Sequence, residues 1–397
     1  MRVPYEVFTD EGNFEKEQEK IFRGAHWCYL GLEAELPNVG DYKSTFLGDT
    51  PVVVTRGKDN KISGWVNRCA HRGAMVCRHR FGQADTFTCV YHHWTYSAEG
   101  DLLSVPFRRG VAGKGGMPAD FDMRNHSLTR LNIDTYKGVI FATFCGSGEI
   151  EPLNDYLGKD VCLMLDRIFS RPIRLLGDER QYIHGNWKLY AENIRDAYHA
   201  SLLHLFHATF GTYRSNQVGG STLDSKLRHC VNIARMGTEY STEEAFSGVK
   251  SYQEGKFTLK DPSLLKGRAD FDDGISLVIM AVFPNLVVQQ IGNSLAMRQI
   301  NPHKVDEHEL LWTYFGYTDD DDEMKAIRQK QLNLVGPGGL ISMEDGEAVE
   351  IVQNAISASN QASSYLAMGG KRGASSDHLI SETAVIGFWE YYCEVMG

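Results

Sequence analysis

The 397-residue sequence lacks several features that mark other classes of protein. It has no cluster of lysine and arginine, and its formal net charge is −10, so neither a nucleic acid nor an anionic membrane surface is an expected partner. It has no apolar run of about 18 residues and no apolar signal core at its N-terminus. It also has no Gly-x-Gly-x-x-Gly motif between a strand and a helix, which would mark a dinucleotide site. We therefore expect a cytoplasmic protein that binds no NADH or NADPH itself.

Cysteine is sparse as well, with 8 residues, and most of them stand alone among apolar neighbours. Cysteines in such surroundings are typical of buried free thiols in a reducing compartment. Only Cys69 and Cys89 have histidines at the spacing of metal ligands. These two are therefore the cysteine candidates for a metal centre.

The chain is longer than a single hydrophobic core usually serves, which predicts two domains. Residues 27–147 alternate short β-rich runs with turn residues, and this pattern predicts an all-β domain. Residues 1–26 and 148–397 are expected to form an α+β domain in which helices cover an antiparallel sheet. The predicted helices are 13–24, 188–207, 322–334 and 381–395. The predicted strands are 276–282, 285–300 with an interruption at Gly292 and Asn293, and 310–317.

The all-β region contains two mixed pairs of metal-binding side chains. Cys69 and His71 form a Cys-x-His pair, and Cys89 and His92 form a Cys-x-x-His pair farther along. Zinc sites with two cysteines and two histidines usually pair like ligands in each half. A Rieske cluster instead binds one iron through two cysteines and the other through two histidines. The mixed halves favour the cluster, and structural zinc is the alternative.

Three neighbouring residues could be mistaken for ligands of this first site. Cys77 and His79 repeat the Cys-x-His spacing, but they lie close before Cys89 in the chain. His93 directly follows His92. We interpret His93 as a bystander, and a site built on Cys77 and His79 is the less favoured alternative.

A second group of candidate ligands lies in the predicted helix 188–207. His199 and His204 are five residues apart, which separates them by about 140° around a regular α-helix. They can converge on one metal only if the helix is irregular between them. His204 and His207, three residues apart, would suit a simple pair better. The spacing alone leaves the choice open, and each histidine on its own is also typical of an ordinary buried or surface residue.

Residues 192–204 read Glu-Asn-x-x-Asp-x-Tyr-His-x4-His. Together with the two Cys/His pairs, this string resembles the large (alpha) subunit of Rieske non-heme iron aromatic-ring-hydroxylating oxygenases. The resemblance covers nearly the whole chain. It implies a Rieske [2Fe-2S] domain at 27–147 and a helix-grip-type catalytic domain with a mononuclear iron, formed by 1–26 and 148–397. The implied cluster ligands are Cys69, His71, Cys89 and His92.

The resemblance also implies a triad of two histidines and one carboxylate, which leaves iron positions open for O2. His199 and His204 match the two histidines, whereas His207 does not. The segment 336–347 resembles the part of the family that carries the carboxylate, and the matching position is Asp345. Glu344 and Glu347 are near enough in sequence to be assigned by mistake.

Asp196 matches an aspartate that bridges a cluster histidine of one subunit and an iron histidine of its neighbour in this family. The resemblance therefore implies a homotrimer of alpha subunits, alone or capped by small beta subunits (α3β3). The chain has no dinucleotide motif of its own. Electrons are therefore expected from a separate NAD(P)H reductase, directly or through a ferredoxin.

The resemblance is strongest with large subunits that act on terephthalate, salicylate and anthranilate. A carboxylate substrate needs a cation in a mostly apolar pocket, and the candidate is Arg298, which follows the apolar residues 294–297. A surface position or a structural salt bridge is the alternative for this arginine. We expect mono- or cis-dihydroxylation of an aromatic carboxylate such as salicylate, anthranilate or a benzoate.

Three alternatives to this function are kept. One is dioxygenation of terephthalate, a dicarboxylate, which is less favoured because 376–383 contain no arginine. Another is demethylation or a different monooxygenation by the same metals. The third is a plain electron carrier or a structural zinc protein, against which the second group of candidate ligands argues.

Overall fold

The computed structural model describes residues 1–249, 257–358 and 362–397. The chain divides into two compact units, one of Phe22–Leu153 and one of Met1–Ile21 with Asn154–Gly397. We call them the β unit and the α+β unit. The predicted assignment of one metal centre to 27–147 and of the other to the flanking segments stays a prediction.

In the N-terminal segment of the α+β unit, the α-helix ends earlier than the sequence predicts. It consists of β1 (Arg2–Pro4), α1 (Glu6–Thr9) and α2 (Glu11–Glu17), with a π-helical turn at Gln18–Phe22. The α-helix predicted at 13–24 therefore ends at Glu17. Glu17 is fully buried there, with its Oε1 2.6 Å from Lys188 Nζ. This buried ion pair fixes the end of α2 inside the unit.

The β unit consists of ten strands and two 3₁₀ turns, which confirms the all-β prediction. The strands are β2 (Cys28–Leu32), β3 (Asp41–Leu47), β4 (Thr50–Arg56), β5 (Ile62–Val66), β6 (Phe81–Gln83), β7 (Thr86–Thr88), β8 (Thr95–Ser97), β9 (Leu102–Ser104), β10 (Asn132–Tyr136) and β11 (Val139–Thr143). They form three antiparallel sheets with the orders β5-β4-β3-β6, β7-β8-β9 and β10-β11-β2.

The core of the β unit lies directly beneath the two cysteine loops. Trp65 and Phe87 pack edge to face with ring centroids 5.1 Å apart, and the same buried cluster includes Cys69 and Cys89. The Trp65 indole N–H donates to Ala98 O at 2.9 Å, so its polar atom is satisfied inside the core. The cysteines are thus anchored on a rigid apolar base.

The rest of the α+β unit contains eight helices and eight strands among the described residues. The helices are α3 (Leu153–Ile168), α4 (Trp187–Asn193), α5 (Ala200–Leu203), α6 (Leu205–Phe210), α7 (Thr242–Phe246), α8 (Asp322–Val335), α9 (Leu340–Ile356) and α10 (Thr383–Met396). The strands are β12 (Ile173–Ile183), β13 (Gln217–Leu223), β14 (Cys230–Glu239), β15 (Ile275–Val282), β16 (Leu286–Ile291), β17 (Ser294–Lys304), β18 (Glu307–Tyr317) and β19 (Ser363–Tyr365).

Seven of these strands form one antiparallel sheet with the order β12-β18-β17-β16-β15-β14-β13. The predicted strands 276–282, 285–300 and 310–317 are confirmed as the meander β15 to β18, and the predicted interruption falls at the turn between β16 and β17. Nine successive residues of β17, from Ser294 to Pro302, are buried. Both faces of the sheet are therefore covered at its centre.

Helices supply that cover. α8 packs against β17 and β18, α9 against β12, and α4 against both α9 and β17. α8 begins at Asp322, and Asp321 caps it by accepting from the Met324 N–H at 2.8 Å. The predicted helices 322–334 and 381–395 are confirmed as α8 and α10. In the part of the chain that the structure describes, no helix combines the length and the apolar character needed to cross a membrane.

Candidate metal centres

The two cysteine loops of the β unit share one backbone geometry. In each loop the cysteine carbonyl accepts, at 2.9 Å, from the N–H four residues later, which is Gly73 after Cys69 and His93 after Cys89. Gly73 and His93 both adopt positive φ, at 74° and 56°. His93 therefore occupies in the second loop the turn position that glycine occupies in the first, and its side chain is exposed.

The four candidate cluster ligands lie in two facing pairs. The rings of His71 and His92 have centroids 4.4 Å apart, and His71 Nδ1 is buried with no hydrogen-bond partner among the described residues. The two cysteine side chains are buried and adjacent. Burial raises the pKa of the Cys89 thiol, so its thiolate form needs a cation beside it. Two buried thiols and two imidazoles, one with an orphaned nitrogen, are the donor set that a Rieske cluster requires.

Two aromatic residues hold these ligands in place. The Trp94 indole stacks on the His71 ring, with centroids 4.9 Å apart and planes 5° apart. Tyr96 Oη lies 3.2 Å from Cys69 Sγ and accepts from the Ala70 N–H at 3.1 Å. Both aromatic side chains are buried, so they restrict the rotamers of the first loop.

Cys77 lies in a different environment from the other two cysteines of this region. Its thiol donates to the His79 carbonyl at 3.3 Å, and its backbone N–H donates to Asn67 Oδ1 at 2.8 Å. The His79 side chain is exposed. The Cys77 thiol is buried and has a protein partner, whereas the imidazole that would have to join it faces solvent. This arrangement gives no support to a site built on the pair.

The single helix predicted at 188–207 is wrong. The structure has the three short helices α4, α5 and α6 there, with breaks at 194–199 and at His204. Asp196 explains the first break, because its Oδ1 accepts from the backbone N–H groups of Tyr198 at 3.0 Å and His199 at 3.3 Å, in competition with helical hydrogen bonding. At the second break His204 has φ −86° and ψ 81°. His199 and His204 thus flank α5. Because they do not lie on one continuous helix, the separation of about 140° expected for a regular helix does not apply to them.

These breaks bring the two histidines onto one carboxylate. Asp345 Oδ1 lies 3.4 Å from His199 Nε2 and 3.2 Å from His204 Nε2. One donor atom from each of the three residues lies within 4.8 Å of the others. Burial opposes ionisation of Asp345, but the two imidazoles outweigh it and hold the pKa of this carboxyl well below its usual range. Two imidazole nitrogens and one carboxylate on a shared centre match the donor set of a non-heme ferrous site.

The outer nitrogen of each imidazole faces a second carboxylate. His199 Nδ1 lies 3.5 Å from Asp196 Oδ2, and His204 Nδ1 lies 2.8 Å from Glu344 Oε2. A carboxylate at Nδ1 fixes the imidazole tautomer, so that Nε2 can bind a metal, and it raises the basicity of the ring. Glu344 is therefore no substitute for Asp345 but a partner of His204, a role that its sequence position did not reveal. The Glu347 side chain is exposed.

His207 is buried beside this centre without joining it. Its ring centroid lies 5.8 Å from that of His204, and its Nδ1 lies 2.6 Å from Thr212 Oγ1. Burial and the neighbouring His204 lower the pKa of His207 to about 3, so its imidazole is neutral at neutral pH.

Two cavities lie side by side near the triad and share the lining residues His207 and Ile291. The smaller has a volume of about 70 Å³ and is lined by the three triad residues together with Arg298 and His207. The larger has a volume of about 410 Å³, lies beyond His207, and has a mainly apolar wall that includes Leu264 and Phe271.

Arg298 is buried in β17, not exposed at its end. Its Nη1 donates to Tyr190 Oη at 2.7 Å, and its guanidinium carbon lies 4.0 Å from the centre of the Trp312 ring. Its Nε is buried without a hydrogen-bond partner, and no carboxylate of the described residues pairs with it. Arg298 is therefore not a surface residue, and it forms no salt bridge with the described residues. These were the two alternatives to a role in substrate binding.

Two models of known protein families match this chain. Residues 26–114 match the Rieske [2Fe-2S] domain, and residues 172–397 match the catalytic domain of the ring-hydroxylating alpha subunit. The chain belongs to the ring-hydroxylating oxygenase alpha subunits. As a member of this family it is a Rieske non-heme iron oxidoreductase with a [2Fe-2S] cluster and a mononuclear iron. Electron supply by an NAD(P)H reductase is standard in the family, and the structural-zinc alternative is set aside.

This alpha subunit is similar over its whole length to characterised relatives. It is 48% identical to the anthranilate 1,2-dioxygenase large subunit of Burkholderia cepacia, with coverage of 100% of this chain and 93% of the relative. It is 42% identical to the terephthalate 1,2-dioxygenase terminal oxygenase component subunit alpha 2 of Comamonas sp, with coverage of 100% and 95%. It is 40% identical to the salicylate 5-hydroxylase large oxygenase component of Ralstonia sp, with coverage of 100% and 94%.

The fold of the oxygenase matches a solved structure as well. Naphthalene 1,2-dioxygenase from Rhodococcus sp. bound to indole aligns with a TM-score of 0.82 at 24% identity, covering 100% of this chain and 94% of that one. The predicted architecture, an all-β Rieske domain with a catalytic domain built on an antiparallel sheet, is therefore confirmed.

Proposed function

We propose that this oxygenase hydroxylates the ring of a small aromatic monocarboxylate and that Arg298 binds the carboxylate of that substrate. The observation that carries the proposal is the state of Arg298 itself. A buried guanidinium without a carboxylate partner is unfavourable on its own, so an anion that enters the cavity and pairs with it gains a strong, charge-assisted interaction. Arg298 lines the cavity that also contains the triad.

The charge of the small cavity supports a substrate with one carboxylate. Its volume of about 70 Å³ is smaller than the roughly 150 Å³ of a cavity that holds one benzene ring, so the ring of an aromatic acid held at Arg298 would also occupy part of the larger cavity beside it. Among the described residues that line the small cavity, Arg298 is the only arginine or lysine. Arg268 lines the larger cavity, but its Nη1 lies 2.9 Å from Asp321 Oδ2. A dicarboxylate such as terephthalate would need a second cation, so anthranilate, salicylate and benzoate are the better candidates.

We assign the metal ligands according to the same proposal. Cys69, His71, Cys89 and His92 would bind the cluster, and His199, His204 and Asp345 would bind the mononuclear iron. The bound metals together supply O2 activation with electrons delivered one at a time. Asp196 has its Oδ2 beside His199, and about a fifth of its side chain is accessible. It would contact the cluster histidine of the next subunit in a homotrimer. The trimer would consist of alpha subunits alone or would carry beta subunits as α3β3. A reductase, with or without a ferredoxin, would supply the electrons.

The residues around the triad position the substrate and the ligands. Asn193 Nδ2 donates to Asp345 Oδ1 at 3.0 Å, so one oxygen of the triad carboxylate is held in a fixed orientation. The Tyr190 hydroxyl accepts from Arg298, which orients the guanidinium within the sheet. A ring whose carboxylate is held at Arg298 would thereby be kept beside the triad.

The proposal is tested with the purified oxygenase, its reductase and NADH. Benzoate, 2-hydroxybenzoate and 2-aminobenzoate are compared with phenol and aniline, which lack the carboxylate, and the products are identified by mass. We expect hydroxylated products from the acids. Arg298→Gln should lower kcat/KM for the acids about tenfold to a hundredfold, the range of one charge-assisted hydrogen bond.

Arg174→Gln is the matched control, because Arg174 is an exposed arginine of the same sheet in β12. It should leave kcat/KM for every compound unchanged. Hydroxylation of phenol and aniline as readily as of the acids would overturn the proposal, and so would an Arg298→Gln variant that keeps full activity on the acids.

A further inference from the structure

His207 and Ile291 are the two described residues that line both cavities. They therefore lie at the boundary between the small cavity at the triad and the larger apolar one. Ile291 offers only hydrocarbon at this boundary. His207 is the polar group that a ring held at Arg298 would meet there.

The hydrogen-bonding capacity of His207 is only half used. Its Nδ1 lies 2.6 Å from Thr212 Oγ1, which fixes the orientation of the ring. No described residue hydrogen-bonds its Nε2, although the side chain is buried. Buried polar groups normally have partners, and one that lines a cavity without a protein partner is suited to a ligand.

The other polar side chains along the small cavity are already engaged. Asn232 donates to Ile194 O at 3.2 Å and accepts from Ser221 Oγ at 2.6 Å. The Tyr213 hydroxyl donates to Ala197 O at 2.8 Å. Apart from the triad and the Asn193 and Asp196 side chains that contact it, Arg298 and His207 are the lining side chains of the described residues that keep an unused polar atom here.

We propose that His207 Nε2 hydrogen-bonds a hydroxyl or amino substituent on the ring of the aromatic carboxylate and so determines substrate specificity. This inference rests on the proposed function, in which Arg298 holds the carboxylate. Because Arg298 and His207 line the same small cavity, one substrate that reaches into it can contact both residues. A hydroxyl can donate to the imidazole or accept from it, so it suits His207 in either tautomer, and an amino group suits a ring whose Nε2 accepts. The preferred substrate is then a hydroxy- or aminobenzoate over benzoate itself.

The experiment measures binding by calorimetry on the oxygenase with both metals in place, without reductase and under nitrogen. The probes are benzoate and the 2-, 3- and 4-hydroxy and -amino benzoates. We expect at least one substituted acid to bind about tenfold more tightly than benzoate, which is the size of one neutral hydrogen bond. In His207→Phe, which keeps a ring of similar size, the ratio of the two dissociation constants should return to about one.

Iron content is determined for each variant, because His207 lies next to His204. If His207→Phe loses iron, His207→Gln and Thr212→Val take its place: the first should keep part of the preference, and the second should reduce it by freeing the imidazole. Leu205→Ala, at an exposed position of the same helix, is the control and should leave the ratio as in the wild type.

Two results would overturn the inference while the proposed function stands. One is that no substituted acid binds better than benzoate to the wild type, and the other is that the preference survives in an iron-loaded His207→Phe. Failure of every aromatic acid to bind, or binding that is indifferent to Arg298→Gln, would instead overturn the proposed function.

Discussion

Glu344 and Asp345, adjacent in α9, contact opposite nitrogens of His204: Glu344 Oε2 is 2.8 Å from Nδ1, and Asp345 Oδ1 is 3.2 Å from Nε2. One imidazole is thus held between two carboxylates that come from one turn of helix. Only the Asp345 oxygen is placed within reach of both triad histidines. In the proposed iron site the inner carboxylate would bind the metal, and the outer one would set the tautomer and orientation of the His204 ring.

Glu344→Gln should weaken iron binding without abolishing the fold. The amide keeps the size of the side chain but loses the charge that favours the Nδ1–H tautomer. We expect the dissociation constant for ferrous iron, measured by competition with a chelator, to rise about tenfold to a hundredfold. Glu347→Gln, an exposed glutamate of the same helix, should leave that constant unchanged. Equal iron affinity in the two variants would contradict the role assigned to Glu344.

Asp345→Ala should remove the mononuclear iron and leave the cluster intact. The substitution takes away the carboxylate shared by the two histidines, whereas the four proposed cluster ligands lie in the β unit. Total iron should fall by about one atom per chain, and the electron paramagnetic resonance signal of the reduced cluster should persist. Cys89→Ser is the complementary variant, which should lose that signal. Loss of the signal in Asp345→Ala would show that the two centres are not separable in this way.

We expect the stability of the folded protein to depend on pH through the Glu192 carboxyl. Burial is the largest cause that raises the pKa of its carboxyl from 4.5 to about 7, and the nearby Asp196 adds to it. The folded state therefore prefers the protonated form, so the contribution of Glu192 to stability is complete below about pH 4.5 and is lost as the pH rises towards 7. The rise of the pKa from 4.5 to about 7 limits the loss to about 3 to 4 kcal/mol, since one pKa unit corresponds to about 1.4 kcal/mol.

Glu192→Gln should remove this dependence, because the amide stays neutral and its oxygen can still accept from the Trp389 indole. The melting temperature of the variant relative to the wild type should be higher at pH 8 than at pH 5, as followed by calorimetry. Glu394→Gln, near the C-terminal end of α10 and exposed, serves as the control. A difference between Glu192→Gln and the wild type that does not change with pH would contradict the raised pKa.

The regular elements of the catalytic sheet could be predicted because their residues obey simple periodicities. The meander β15 to β18 is a series of apolar strands with turn residues such as Gly292 between them. The triad could not be derived from spacing, because the helix that carries His199 and His204 is interrupted. The cause is local: the Asp196 carboxylate accepts hydrogen bonds from two backbone amides. The spacing of apolar residues along the helix does not reveal such a contact.

Residues whose roles depend on contacts distant in sequence leave the weakest signal in the sequence. Glu344 could be recognised only as a neighbour of Asp345, since its contact with His204 spans 140 positions. His207 matches no ligand position in the sequence, and the cavities that it lines are formed by distant strands and helices. Arg298 was found because a charge in an apolar strand is unfavourable unless it has a partner.

Asp196→Asn should slow electron transfer to the iron while both metals stay bound. The amide oxygen of asparagine can still accept from the backbone N–H groups of Tyr198 and His199, so the turn before α5 is kept. The negative charge beside His199 Nδ1 is lost. In a single turnover with the cluster pre-reduced, stopped-flow absorbance should show cluster oxidation in the presence of substrate and O2 slowed by about tenfold or more, the usual range for such outer carboxylates. Asp196→Ala removes the turn as well and should also lose iron. A cluster oxidation rate in Asp196→Asn equal to that of the wild type, with iron content intact, would show that electrons reach the iron without this carboxylate.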